Sequence, residues 1–237
     1  MARRDIPLTN ILPNLMTVTA ICAGLTAIRY GLQGNFEFAV LLILLAAILD
    51  GLDGRLARLL DSDSAVGAEL DSLADFLNFG VAPGLLLYFW ALSETPRLGW
   101  IAVLIYAVCC VLRLARFNVS AKSGEAGEDA YFVGVPSPAG AMLVLLPMFV
   151  SFAFDSAPFH GHLLSLYMAI IGALLISKVP TWSFKRLHIP QDRVRYILVA
   201  FAFAGAAVLT YPWITLVVGT LGYVGVVIWS LVRRGRG

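Results

Sequence analysis

Runs of about twenty apolar residues, interrupted by short polar stretches, constrain this chain more than any other feature. A bilayer hydrocarbon core about 30 Å thick is crossed by a helix of about 20 apolar residues. Backbone polar groups in lipid must find partners inside the segment, which favours helices. Polar breaks mark eight candidate spans, near 13–32, 36–58, 70–92, 98–117, 138–155, 161–178, 194–211 and 213–232. Only 14% of the 237 residues are charged, against about a quarter in a soluble domain. The expected fold is an all-α polytopic membrane helical bundle, one membrane domain over residues 1–237.

Charge placement sets the expected topology. With a cytoplasmic N-terminus, inner loops and span ends gather fifteen of the seventeen basic residues, leaving only Arg29 and Arg97 outside. That is the bias of the positive-inside rule, and it independently supports an even number of spans. A net charge of +2 without a basic tract gives no reason to expect nucleic acid. Cys22, Cys109 and Cys110 show no metal-ligand spacing and read as packing residues. The apolar run from Leu15 to Tyr30 lacks a small-residue cleavage site, so the first span reads as a retained anchor. Residues 5–13 mix polar and apolar side chains and predict a short interfacial helix. Pro147, and Gly80 with Pro83 and Gly84, predict kinks. The stretch from Phe132 to Pro138 predicts an ordered turn.

Seven of the fifteen acidic residues lie between Asp50 and Asp75. An acid facing lipid costs about 2.5–3.5 kcal/mol on insertion scales, so something must offset the cluster. Asp61 and Asp63 suit a solvated inner loop. Asp50 and Asp53 end the second span three apart, and Asp71 and Asp75 begin the third four apart. Each spacing keeps its pair on one helical face. A short link joins the two spans on one side of the membrane, so the spans run antiparallel and the faces can meet. Four such carboxylates repel one another or protonate unless cations neutralise them. Oxygen ligands without His or Cys favour Mg²⁺, Mn²⁺ or Ca²⁺, and paired ions serve phosphoryl chemistry. Gly51, Gly54, Ala57 and Gly67 clear space beside the acids. Arg58 is placed to bind a phosphate or to snorkel to the interface. A cation-coupled transporter is the alternative of another class, although its acids would sit near the midplane between related halves.

Asp50-Gly-Leu-Asp53-Gly54-Arg-Leu-Ala57-Arg58, eight residues, then Gly67-Ala-Glu-Leu-Asp71-Ser-Leu-Ala-Asp75 resembles the CDP-alcohol phosphotransferase motif DxxDGxxAR…GxxxDxxxD at every defining position. The resemblance implies a six-helix catalytic core, about residues 1–192, followed by two extra helices over about 193–237 for packing or dimer support. It implies that Asp50, Asp53, Asp71 and Asp75 hold two divalent cations, Mg²⁺ or Mn²⁺ with Ca²⁺ as an alternative. It further implies Asp75 as general base, and Gly54, Ala57, Arg58 and Gly67 around a CDP-linked donor.

Three weaker stretches extend the likeness to membrane-type bacterial phosphatidylserine synthases: Pro13-Asn14-Leu-Met-Thr17, Leu112-Arg113-Leu-Ala-Arg116-Phe-Asn118 and Phe132-Val-Gly-Val-Pro-Ser137-Pro138. They imply CDP-diacylglycerol held with help from Asn14 and Thr17, and L-serine as acceptor near Arg113, Arg116, Asn118 and Ser137. Arg113 and Arg116 serve equally well as inner-face anchors. Glycerol 3-phosphate, inositol phosphate or choline are the alternative acceptors. The resemblance also implies a homodimer among membrane lipids in the bacterial inner membrane, and the charge bias puts the active site at the cytoplasmic face. His160 and His162 read as solvated loop residues. His188 belongs to a basic loop suited to anionic headgroups. The five tryptophans suit membrane interfaces.

Overall fold

The computed structural model describes residues 11–60, 62, 64–122, 131–157, 159–177, 180–182 and 194–234. These residues form eight helices: α1 (Leu12–Leu32), α2 (Phe36–Leu59), α3 (Ala65–Leu92), α4 (Pro96–Lys122), α5 (Ser137–Phe154), α6 (Gly161–Ile176), α7 (Val194–Thr210) and α8 (Pro212–Arg234). Each expected span is matched by a helix, the largest differences being the start of α3 at Ala65 and the end of α4 at Lys122. The interfacial helix expected over 5–13 and the basic loop around His188 fall mainly or wholly outside the described residues.

Five helices, α1, α3, α4, α5 and α8, are long and apolar enough to cross a membrane. α6 is apolar but has 16 residues and α7 has 17. α2 is long enough, but its last turns carry Asp50, Asp53, Arg55 and Arg58. The polarity that weakens it as a membrane span is the polarity that builds the site.

Local chemistry sets the helix ends. Asn35 caps α2 by accepting from the Phe38 N–H at 3.3 Å. Ser64 caps α3 by accepting from the Gly67 N–H at 2.9 Å. Such caps satisfy donors that a helix start leaves free. α1 packs along α2, α4 along α6, and α5 against α8. Gly172 permits the α4–α6 approach, because a Cβ there would lie 3.2 Å from the Tyr106 Cα. Ile43, Leu86, Leu87, Tyr106, Leu145 and Met168 are fully buried at the centre. Leu25, Leu45, Leu104, Leu166 and Phe203 face outward, as expected where the surrounding solvent is lipid.

The Gly80–Pro83–Gly84 region contains π-turns. α3 widens to π-helix over Phe76–Val81 and again over Tyr88–Leu92, with an α segment at Ala82–Leu87 between them. Pro83 has no N–H to give the Phe79 carbonyl four residues earlier. Tyr106 of α4 fills that gap, its hydroxyl donating to the Phe79 oxygen at 2.7 Å. Pro147 of α5 likewise strips the Leu143 carbonyl of its helical donor, and the Tyr167 hydroxyl of α6 donates there. Freed carbonyls in a bilayer need such partners.

The expected turn at Phe132–Pro138 is a strand followed by a bend. β1 (Tyr131–Val133) pairs antiparallel with β2 (Pro180–Trp182), a short ribbon added to the all-helical architecture. Gly134 then turns with φ +87°, where a Cβ would meet the Leu175 carbonyl oxygen at 2.6 Å. Only glycine fits both the dihedral and the space. The bend delivers Ser137 to the start of α5.

Candidate active site

The last turns of α2 and the first turns of α3 bring the aspartates together. Asp50, Asp53 and Asp71 each offer a carboxylate oxygen, and these oxygens all lie within 4.8 Å of one another. Asp75, one turn beyond Asp71, reaches hydrogen-bonding distance of Asp50. α1 supplies the third wall. Thr17 is buried and its hydroxyl donates to Asp53 Oδ2 at 2.6 Å, with the Pro13 carbonyl as a second acceptor at 3.1 Å.

Asp53 is only 3% exposed, and its other oxygen, Oδ1, is buried without a hydrogen-bond partner. Asp75 Oδ1 is buried and unpartnered in the same way. A buried carboxylate oxygen with no donor is costly, and clustering like charges adds to that cost. A divalent cation removes both penalties, and an all-oxygen donor set suits a hard ion. These residues therefore fit a divalent metal.

Glycines shape the space beside the acids for different reasons. A Cβ on Gly51 or Gly54 would meet nothing within 4 Å. Packing within the protein therefore does not require glycine there, and room beside the acids remains open. Gly67 differs, because a Cβ would lie 2.9 Å from Asn14 Oδ1 and 3.0 Å from Ser64 Oγ. Gly67 thus lets α3 begin against Asn14 of α1. Ala57 is half-buried, and Arg58 is exposed with its Nε donating to the Gly54 carbonyl at 2.9 Å.

The four residues expected at the acceptor separate into groups. Arg113 donates to Ser137 Oγ at 2.5 Å, and its charge acts on Asp75. Cys110 also contacts Ser137, at 3.7 Å from its sulfur. Asn118 donates to Ser72 Oγ at 2.8 Å, beside Asp71. Arg116 is exposed and donates to the Ile176 carbonyl at 3.2 Å, capping the end of α6. Arg113, Ser137 and Asn118 therefore border the acids, whereas Arg116 is engaged with a helix end.

Cys109 and Cys110 are buried as packing residues, and Cys22 is exposed. His160 and His162 are exposed. Trp90 and Trp213 each pack edge-to-face with Phe152.

Three polar residues were not singled out in the sequence. Asn78, one turn past Asp75 in the π-turn, is fully buried with both amide atoms unpartnered, and a Cβ on Gly24 would lie 2.0 Å from its Oδ1. A lone amide inside Phe76-Leu-Asn-Phe79 was the available signal. Thr220 and Tyr223 of α8 also carry buried hydroxyl oxygens without partners. Their spacing is helical, but nothing in the sequence ties α8 to the acids.

Membrane-length helices around a buried carboxylate cluster define a multi-pass membrane enzyme whose site fits divalent cations. The CDP-alcohol phosphatidyltransferase family model matches residues 10–179, and the chain belongs to that family. A Mycobacterium tuberculosis CDP-diacylglycerol–serine O-phosphatidyltransferase is 44% identical over 225 residues, 93% of this chain and 78% of the relative. The Bacillus subtilis protein of that name is 37% identical over 178 residues, 75% of this chain and 93% of the relative. The Helicobacter pylori one is 36% identical over 179 residues, 75% of this chain and 74% of the relative. Mycobacterium tuberculosis phosphatidylinositol phosphate synthase, solved with CDP-DAG bound, superposes with a TM-score of 0.49 at 23% identity, covering 71% of this chain and 80% of that one. Family membership answers the transporter alternative.

Proposed function

We propose that this protein transfers the phosphatidyl group of CDP-diacylglycerol to the hydroxyl of L-serine, giving phosphatidylserine and CMP. The observation that carries the chemistry is the convergence of Asp50, Asp53 and Asp71 with Asp75 alongside, two of their oxygens buried and unpartnered. The choice of serine rests on the names of relatives 36–44% identical to this chain.

Asp50, Asp53, Asp71 and Asp75 would hold two divalent cations, Mg²⁺ or Mn²⁺, which supply neutralisation of the diphosphate charge. Thr17 holds Asp53 in place for that task. The open space at Gly54, bordered by Ala57 and Arg58, takes the CDP moiety, with Asn14 and Gly67 at its edge. Arg113 and Ser137 receive the serine. Asp75 accepts the proton of the serine hydroxyl as that oxygen bonds to the phosphatidyl phosphorus. The bond between that phosphorus and the CMP oxygen breaks, and CMP leaves with the electron pair. Fixed donors around the diphosphate lower the barrier because they need no reorganisation as charge shifts.

The site is placed at the cytoplasmic face of the cell membrane, supported by the bias of fifteen basic residues against two. The homodimer belongs to the same reading, rests on the resemblance, and is checked by the mass of the detergent-solubilised particle. Activity is tested with purified protein in detergent, given CDP-diacylglycerol, Mg²⁺ or Mn²⁺, and L-serine. CMP and phosphatidylserine are expected, and chelation should abolish both. Absence of CMP with serine, glycerol 3-phosphate, inositol and choline alike would sink the proposal.

A further inference from the structure

Three tyrosines with buried hydroxyls stand out, and two of them have structural duties. Tyr106 and Tyr167 donate to the carbonyls that Pro83 and Pro147 leave free. The third, Tyr223, lies in α8, outside the residues matched by the family model. Its hydroxyl is buried and has no partner. One helical turn earlier, Thr220 is 4% exposed and its Oγ1 is also unpartnered. These groups lie at helical spacing from Val217 and Val224, which pack into the core, and α8 packs on α5. Two orphaned hydroxyls on one face are expensive in a low-dielectric interior.

The groups near Tyr223 point to a use. Its ring carries the hydroxyl close enough to Arg113 for the two side chains to interact electrostatically. Arg113 is bound to Ser137 at the start of α5 and also acts on Asp75. One bond to Ser137 leaves further guanidinium N–H groups available. A small ligand bearing a carboxylate could be held between Arg113 and a tyrosine hydroxyl, with an alcohol directed at Asp75.

We propose that Tyr223 is a specificity-determining residue, its hydroxyl donating a hydrogen bond to the carboxylate of the serine acceptor that Arg113 pairs with. The inference rests on the serine reading above. α8 is then a wall of the acceptor pocket as well as an outer packing helix. Thr220 lines the same wall.

The test is steady-state kinetics on the full chain in detergent, comparing wild type with Tyr223→Phe, which removes only an oxygen. Losing a hydrogen bond to a charged group should raise KM for L-serine about tenfold. KM for CDP-diacylglycerol and kcat should stay within about twofold, a split that general loosening of the fold would not give. Tyr211→Phe, at an exposed position between α7 and α8, serves as control and should change neither KM. Wild-type affinity for serine in Tyr223→Phe overturns the proposal, as does a parallel change in both KM values. Wild-type protein that releases CMP with another alcohol but never with serine overturns the serine reading and this assignment together.

Discussion

Tyr106→Phe is the sharpest test of how α3 is held beside the site. The substitution deletes one oxygen from a fully buried ring and leaves the Phe79 carbonyl without its 2.7 Å donor. The α-helical donor four places on is missing, because that residue is Pro83. An orphaned buried acceptor costs about 1–3 kcal/mol. At about 2–4 °C per kcal/mol for a chain of this size, the unfolding midpoint should fall by about 2–12 °C. The assay is thermal unfolding in a single detergent at one scan rate, since such unfolding is often governed by rate. The decisive arm is Pro83→Ala, which restores an N–H facing the same carbonyl. In that background Tyr106→Phe should cost less than about 0.5 kcal/mol, the two changes being coupled through one acceptor. Equal losses in both backgrounds, or no loss in either, would refute the account. The first π-turn begins at Phe76, directly after Asp75, so Tyr106→Phe should also lower turnover in proportion to the disturbance of that turn.

Asp75→Asn removes the proton acceptor and should cut turnover by about 10²–10⁴-fold while CDP-diacylglycerol binding, read by calorimetry in detergent, survives. Near-normal turnover would remove Asp75 from its role. Gly54→Ala places a methyl where the protein offers no neighbour within 4 Å, so the midpoint should hold or rise by the equivalent of about 0.5–1 kcal/mol. The same methyl intrudes on donor space, so kcat/KM for CDP-diacylglycerol should fall about 10–100-fold, at about 1.4–2.7 kcal/mol of crowding; full activity would show that this space is not the donor's. Gly134→Ala combines a φ of +87° with a Cβ 2.6 Å from the Leu175 carbonyl oxygen, and should cost about 2–4 kcal/mol. An unchanged midpoint in thermal unfolding would count against that strain.

Features that depend on spacing along one helix were legible in the sequence. The eight helical segments and the i,i+3 and i,i+4 aspartate pairs needed only the apolar run length and the helical repeat, and helices now occupy each expected segment, five of them of membrane-spanning length and apolarity. The meeting of Asp50, Asp53 and Asp71 also followed, because a short link forces α2 and α3 to turn back on each other. Features that depend on which helix stands next to which were not legible. Arg113 and Arg116 share one family-like stretch, yet one bonds Ser137 and the other the Ile176 carbonyl. The ribbon between β1 and β2 joins segments that no local rule connects.

Prolines show where that boundary lies and how it can be moved. Pro83 and Pro147 suggested kinks, which is a statement about a single helix. Each also creates an unpaired carbonyl four residues back, at Phe79 and Leu143, and that debt can be read from sequence before any neighbour is known. In lipid it is met by a neighbouring helix, a Ser or Thr hydroxyl, a water or a local change of helical pitch, so a buried tyrosine in a neighbouring span is one of a few expected answers. Tyr106 and Tyr167 fulfil it. Once both prolines are matched, Tyr223 is left with a buried hydroxyl and no carbonyl to serve. That remainder, beside Arg113, is what turns the last helix from packing into part of the acceptor pocket.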